Sequence, residues 1–149
     1  PLSLMYPEAN IPVLQLSMPD RSGARRVLKL GHALAALREE GILLIGSGGL
    51  VHNLGKLVWW EKAGAPEAWA QQFQAWVIQQ LQAKNVESLV RFEEEAPHAR
   101  EAHPTTEHFM PLFFTLGAAR SGDGFHPLFD EIQYKSLSMY CFALAGGAT

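Results

Sequence analysis

Hydrophobic positions along this chain change period several times, and each change predicts an element. Ile11, Val13, Leu14, Leu16 and Met18 lie in a strand-like stretch. Pro12 falls near its start, where a missing backbone donor is tolerated. Val27, Leu30, Leu34 and Leu37 then recur at helical spacing and leave Arg25, Lys29, Arg38 and Glu39 outward. That helix is expected to be capped by Asp20 or Ser22 and ended by Gly41. Ile42 to Ile45 is an unbroken aliphatic run between glycines, which reads as a strand buried on both faces of a parallel sheet. Strand, helix and strand in this order make a right-handed crossover unit.

The second half alternates in the same way. Lys56 to Gly64 reads as a loop whose Trp59 and Trp60 can wall an aromatic pocket or cover the edge of the core. Pro66 suits the first turn of a helix running to about Lys84, with Trp69, Phe73, Trp76, Val77 and Leu81 as its apolar face. Val86 to Phe92 is a short second helix, and Glu93 to Glu95 a solvated charge run. Thr105 or Thr106 can cap a helix from near Glu107, internal because Phe109 to Leu116 is apolar almost all round. Gly117 closes it and Arg120 to Gly124 is a surface turn. Phe125 to Tyr134 and Ser136 to Leu144 read as two closing strands, with a frayed tail from Gly146. The expectation is one α/β domain over residues 1–149. It has three layers, a central mixed and mostly parallel sheet with helices on both faces.

Composition narrows the class without naming a function. With 48% hydrophobic and 18% charged residues, 149 residues suffice for one soluble domain with a real core. A net charge of -3 and a pI near 6.1 argue against nucleic acid or an anionic membrane as partner. No apolar run reaches the ~18 residues of a membrane span. The single Cys141 lies in an apolar segment, is expected to be buried, and demands no oxidising compartment. The cytoplasm is the default setting.

Candidate chemistry concentrates at two places. Gly46-Ser47-Gly48-Gly49 follows the central aliphatic run and sets down His52 where ligands of open α/β sheets usually bind. A plain glycine turn with an incidental histidine fits the same spacing, whereas the phosphate-loop spacings are absent. Ala102 to Leu112 is the second place, with His103 held extended by Pro104 and His108 at the start of the internal helix. A buried imidazole there needs a carbonyl, a carboxylate or a metal. Glu107 competes as a ligand, and because neighbouring helical residues point about 100° apart, the two are not expected to bind one ion. His103 can contact substrate or be a loop histidine. His32 reads as structural and His98 as surface. A non-enzymatic or hydrolase-like module that binds a small anion at the Gly46 to Gly49 turn is the alternative reading.

Gly46-Ser47-Gly48 with His52-Asn53-Leu54 resembles the class III extradiol ring-cleavage dioxygenases, specifically the DOPA 4,5-dioxygenase-like branch. Pro1-Leu2 with Met5-Tyr6-Pro7 and Ile11-Pro12-Val13 also match, as do His32-Ala33-Leu34 with Leu37-Arg38. So do Ala102-His103-Pro104 with Glu107-His108-Phe109 and Pro111-Leu112, and Ser136 to Met139, all in family order. The resemblance implies a non-haem Fe(II) site, which zinc can occupy in a purified protein, acting on a catechol-type substrate with dioxygen. It implies His52 as the acid/base, close enough to the ion to count as a ligand, His108 as a metal ligand, and His103 at the substrate. In that family the opening phrase lies mid-chain, after an N-terminal half that carries two further metal-binding histidines. This chain is therefore expected to be the C-terminal portion of a longer dioxygenase, completed by that missing half and inactive alone.

Overall fold

The structure is a computed structural model that describes residues 2–18 and 23–146. The cap candidates Asp20 and Ser22, Pro1 of the opening motif, and the tail beyond Gly146 lie outside the described residues. Among the described residues, seven α-helices come first in chain order. They are α1 (Leu2–Met5), α2 (Ala24–Leu34), α3 (Ala68–Gln82), α4 (Val86–Val90), α5 (Phe92–Glu95), α6 (Ala99–Ala102) and α7 (Met110–Gly117). Strands β1 (Asp123–Phe129), β2 (Ile132–Gln133), β3 (Leu137–Ser138) and β4 (Cys141–Gly146) follow. β1 pairs with β4 and β2 with β3, both antiparallel, so the chain is α/β with two small sheets.

The expected central parallel sheet does not form among the described residues. Ile11 to Met18 and Ile42 to Ile45 carry no regular structure. Ile42, Leu43 and Ile45 are 44, 58 and 51% exposed. A strand apolar on both faces needs paired neighbours at both edges and a layer on each side. The described residues supply neither to this run, so it stays open.

What does form is organised by α2, α3 and α7. Val27 and Gly31 of α2 are buried against α7, where Leu112, Phe113 and Phe114 are buried in turn. The two helices approach backbone to backbone. A Cβ on Gly31 would run into the Phe114 carbonyl, and one on Gly117 into the Leu28 carbonyl. α3 turns Phe73, Val77 and Leu81 into the core as its spacing predicts, with Trp69 and Trp76 half-buried at the edge. Gly41 ends the first helical stretch at φ 78°, through a 3₁₀ turn over Ala35–Glu40.

Several local expectations change. The helix from Val86 breaks at Arg91 into α4 and α5, and α7 starts at Met110 rather than near Glu107. Arg38 points inward. Its Nη1 donates to Asp123 Oδ2 at 2.6 Å and to the Ala118 carbonyl at 2.8 Å. Nη2 donates to Asp123 Oδ1 at 3.1 Å and to the Leu144 carbonyl at 3.3 Å. The end of α7 and both strands of the β1–β4 pair thereby share one cation. Cys141 is exposed on β4, because the strand alternation turns its neighbours Tyr140 and Phe142 inward instead. Trp59 leans on Tyr134 at 5.3 Å between centroids, yet both Trp59 and Trp60 are exposed.

Candidate functional site

Two segments build the site, residues 46–53 and residues 101–108, and each holds the other in place. Gly46 and Gly48 lie against the start of α7, where a Cβ would meet the Pro111 carbonyl and the His108 carbonyl respectively. Only glycine permits that approach. Gly49 N–H donates to the His108 carbonyl at 2.9 Å. Leu50 and Val51 then plunge into the core, and Ser138 N–H donates to the Val51 carbonyl at 3.2 Å. His52 N–H donates to the Ala102 carbonyl at 3.0 Å, and Asn53 Nδ2 to the Glu101 carbonyl at 2.7 Å.

The result is that His52 and His108 face each other. Their rings stack with centroids 3.7 Å apart and planes 21° from parallel. His52 is half-buried, whereas His108 is exposed, on the turn before α7 rather than inside the helix. Burial first, and the neighbouring His108 imidazole second, lower the His52 pKa from its ordinary value. Glu107 stands at the rim, its Oε1 accepting from Thr105 Oγ1 at 2.7 Å and lying 4.0 Å from His108 Nε2. The Thr105 hydroxyl is the main reason that its carboxyl pKa is lowered.

His103, expected at the substrate, is only 4% exposed. Phe73, Phe92 and Phe109 surround its ring, and its Nε2 bonds to the Leu50 carbonyl at 2.8 Å. Burial pushes its pKa down to about 4. The ring sits inside the core behind the cleft because its aromatic neighbours and Leu50 enclose it. His32 is exposed on α2, and His98 bonds Gln72 at the surface.

A cavity of about 60 Å³ adjoins His108, walled also by Gly46, Gly48, Pro111, Tyr140 and Phe142. Sequence reasoning did not place Tyr140 and Phe142 at the site. The alternation of Ser138, Tyr140 and Phe142 on one strand face was the available signal. A larger groove of about 350 Å³ beside Gln74 and Asp130 is lined by no histidine. At the glycine turn named by the anion-binding alternative, the Gly49 amide is bonded to the His108 carbonyl, and the Thr115 hydroxyl and the Pro111 and His108 carbonyls lie against Gly46 and Gly48.

No group of three or more potential metal ligands occurs among the described residues. Two adjacent imidazoles suit part of a transition-metal donor set, short of the three protein ligands that such a site usually has.

Residues 1–143 match the family described as the catalytic LigB subunit of aromatic ring-opening dioxygenase. The chain is 43% identical over 119 residues to a 4,5-DOPA dioxygenase extradiol of Beta vulgaris, covering 80% of this chain and 44% of that protein. It is 39% identical over 141 residues to a protein of the same description from Escherichia coli (strain K12), covering 91% and 50%. The fold is similar to the crystal structure of an uncharacterized protein from Escherichia coli K12, with a TM-score of 0.82 and 35% identity. That likeness covers 95% of this chain and 58% of the other. The chain thus spans about half the length of the curated relatives that it matches.

Proposed function

This chain belongs to the family of the catalytic LigB subunit of aromatic ring-opening dioxygenases, and from that premise we propose that it supplies the acid/base and one metal-binding side of an extradiol ring-cleavage site. The observation that carries the reading is the His52–His108 stack. Two nitrogen ligands from separate segments meet in one cleft, at the two positions that the motif resemblance picks out.

In this reading His108 is a metal ligand. His52 is the acid/base and stands near enough to the ion to count as a second ligand. The remaining ligands come from residues outside this chain, in the N-terminal half of a longer protein. When bound, Fe(II) supplies neighbouring positions for a catecholate and dioxygen, and zinc can use the same imidazoles in a purified protein. His52, neutral near pH 7 because its pKa is lowered, accepts a proton from a catechol hydroxyl and returns one to the opening product. Tyr140 and Phe142 give the cavity aromatic walls suited to a flat ring. The substrate class is a catechol, DOPA-like or simpler, in keeping with the names of the relatives. The partners are small molecules, with neither nucleic acid nor membrane, and the setting is cytoplasmic.

The open apolar stretches support a further part of the reading. Val13, Leu14, Ile42 and Leu43 are exposed, and exposed apolar surface of this kind marks a place to be covered. These stretches are proposed as strands of a three-layer, mostly parallel sheet completed by the rest of the longer protein.

The test is to load the full-length gene product with Fe(II), supply L-DOPA or a simpler catechol, and follow oxygen uptake with the yellow ring-opened product. Iron-loaded protein that opens no catechol refutes the reading.

A further inference from the structure

We propose that His103 is a positioning residue for His52: its buried Nε2–H, bonded to the Leu50 carbonyl, fixes the backbone that presents the His52 imidazole. The inference rests on the reading of His52 as the acid/base and goes beyond it, since it assigns a role to a ring that does not reach the cleft.

Packing alone does not call for histidine here. The ring is enclosed by Phe73, Phe92 and Phe109, at 5.6, 6.4 and 4.8 Å between centroids. A polar ring in an aromatic box costs free energy unless it is bonded. A carbonyl only accepts, so Nε2 carries the hydrogen toward Leu50, 2.8 Å away. Nδ1 is buried and finds no partner among the described residues. All the polar benefit of the ring is therefore concentrated in one bond to Leu50.

That bond belongs to a clamp. Gly49 N–H, His52 N–H and the Asn53 amide bond the carbonyls of His108, Ala102 and Glu101. His103 contributes the one side-chain donor that reaches across from the 101–108 segment. Without it the Leu50 carbonyl would lose its bond inside the core, and the backbone would shift to find another. His52 follows two residues later, stacked on His108 at 3.7 Å. A displacement of ~1 Å in a reacting group can cost ~100-fold in rate.

The test compares two variants of the full-length, Fe(II)-loaded gene product. His103→Leu keeps apolar volume and deletes the donor, while His103→Gln restores an N–H near the Nε2 position. His103→Leu is expected to lower kcat by ~10- to 100-fold with KM for catechol within ~3-fold and bound iron unchanged. Amide exchange over residues 49–53 should rise by ~10-fold or more while α3 and α7 stay protected. His103→Gln should recover most of both. His103→Met replaces the leucine variant if that one does not fold.

A raised KM at unchanged kcat would make His103 a substrate contact and overturn the proposal. Loss of protection across α3 and α7 in both variants would reduce it to general packing and overturn it equally. Wild-type protein that binds iron but opens no catechol would refute the activity reading alone. The exchange comparison then decides the tether by itself.

Discussion

The imidazole of His52 lies face to face with that of His108, 3.7 Å between centroids, although one follows a glycine turn and the other precedes a helix. Two rings this close cannot both carry a proton without strong repulsion, which contributes to the lowered His52 pKa. The pair is suited to share a cation or to keep one ring neutral.

From this contact the two histidines are expected to separate by phenotype in the full-length gene product. His52→Ala should retain most bound iron and lose ~100-fold or more in turnover, as for a lost acid/base. His108→Ala should lose the iron itself. Iron content beside ring-opened product checks both. Loss of iron with normal turnover per remaining iron in His52→Ala would reverse the assignment.

The glycine turn offers a second check, because two adjacent glycines have opposite surroundings. A Cβ on Gly48 meets the His108 carbonyl, so Gly48→Ala must push the turn that carries His108. It should lower turnover by ~10-fold or more while the far-ultraviolet circular dichroism is kept. Gly49→Ala meets nothing closer than 3.5 Å and should behave much like wild type. Equal effects at both positions would show that the turn acts only through flexibility.

Removing the carboxylate from the inward pair should be costly for stability. The Asp123 and Arg38 side chains are 4 and 20% exposed, and Asp123→Ala leaves the guanidinium without its bidentate partner. A loss of about 3 kcal/mol is expected by urea unfolding, in the range for a broken buried pair. Glu87→Ala removes an equally well-formed pair with Arg25 that is 62% exposed on each side. It should leave the unfolding midpoint where it was.

These particulars also show where the sequence was legible. α2, α3 and the apolar helix α7 followed from periodicity because each buries its stripe within this chain. His52 and His108 drew notice because both lie outside any apolar stripe, and the structure stacks their rings. Ile42 to Ile45 stays open, since its two-sided apolarity specifies neighbours that the described residues do not supply. Arg38 misled. Helical spacing ranks it as outward, and only the partner Asp123, far along the chain, turns it in. His103, held extended by Pro104, read as a substrate contact or a loop histidine, and the structure places its ring inside the core. Its burial depends on Phe73 of α3, Phe92 of α5 and Phe109 on the turn before α7, and no local pattern brings the first two to it.

Acid should expose His103 as a stability sensor. Its pKa falls from 6.5 to about 4 in the folded chain because burial opposes the charged ring. Above pH 6.5 the ring is neutral in both folded and unfolded states and contributes nothing to the pH dependence. Between pH 6.5 and about 4 the unfolded chain takes up a proton that the folded chain refuses, so stability falls as the pH drops. Below about 4 both states are protonated and this contribution levels off. The full difference is at most about 3 kcal/mol. His103→Gln has no group that titrates in this window, yet it can keep the bond to Leu50. Urea unfolding at pH 7 and pH 4.5 should therefore show a smaller drop in the variant than in wild type. If both lose stability equally, the acid sensitivity lies elsewhere, and the buried ring is not the group that resists protonation.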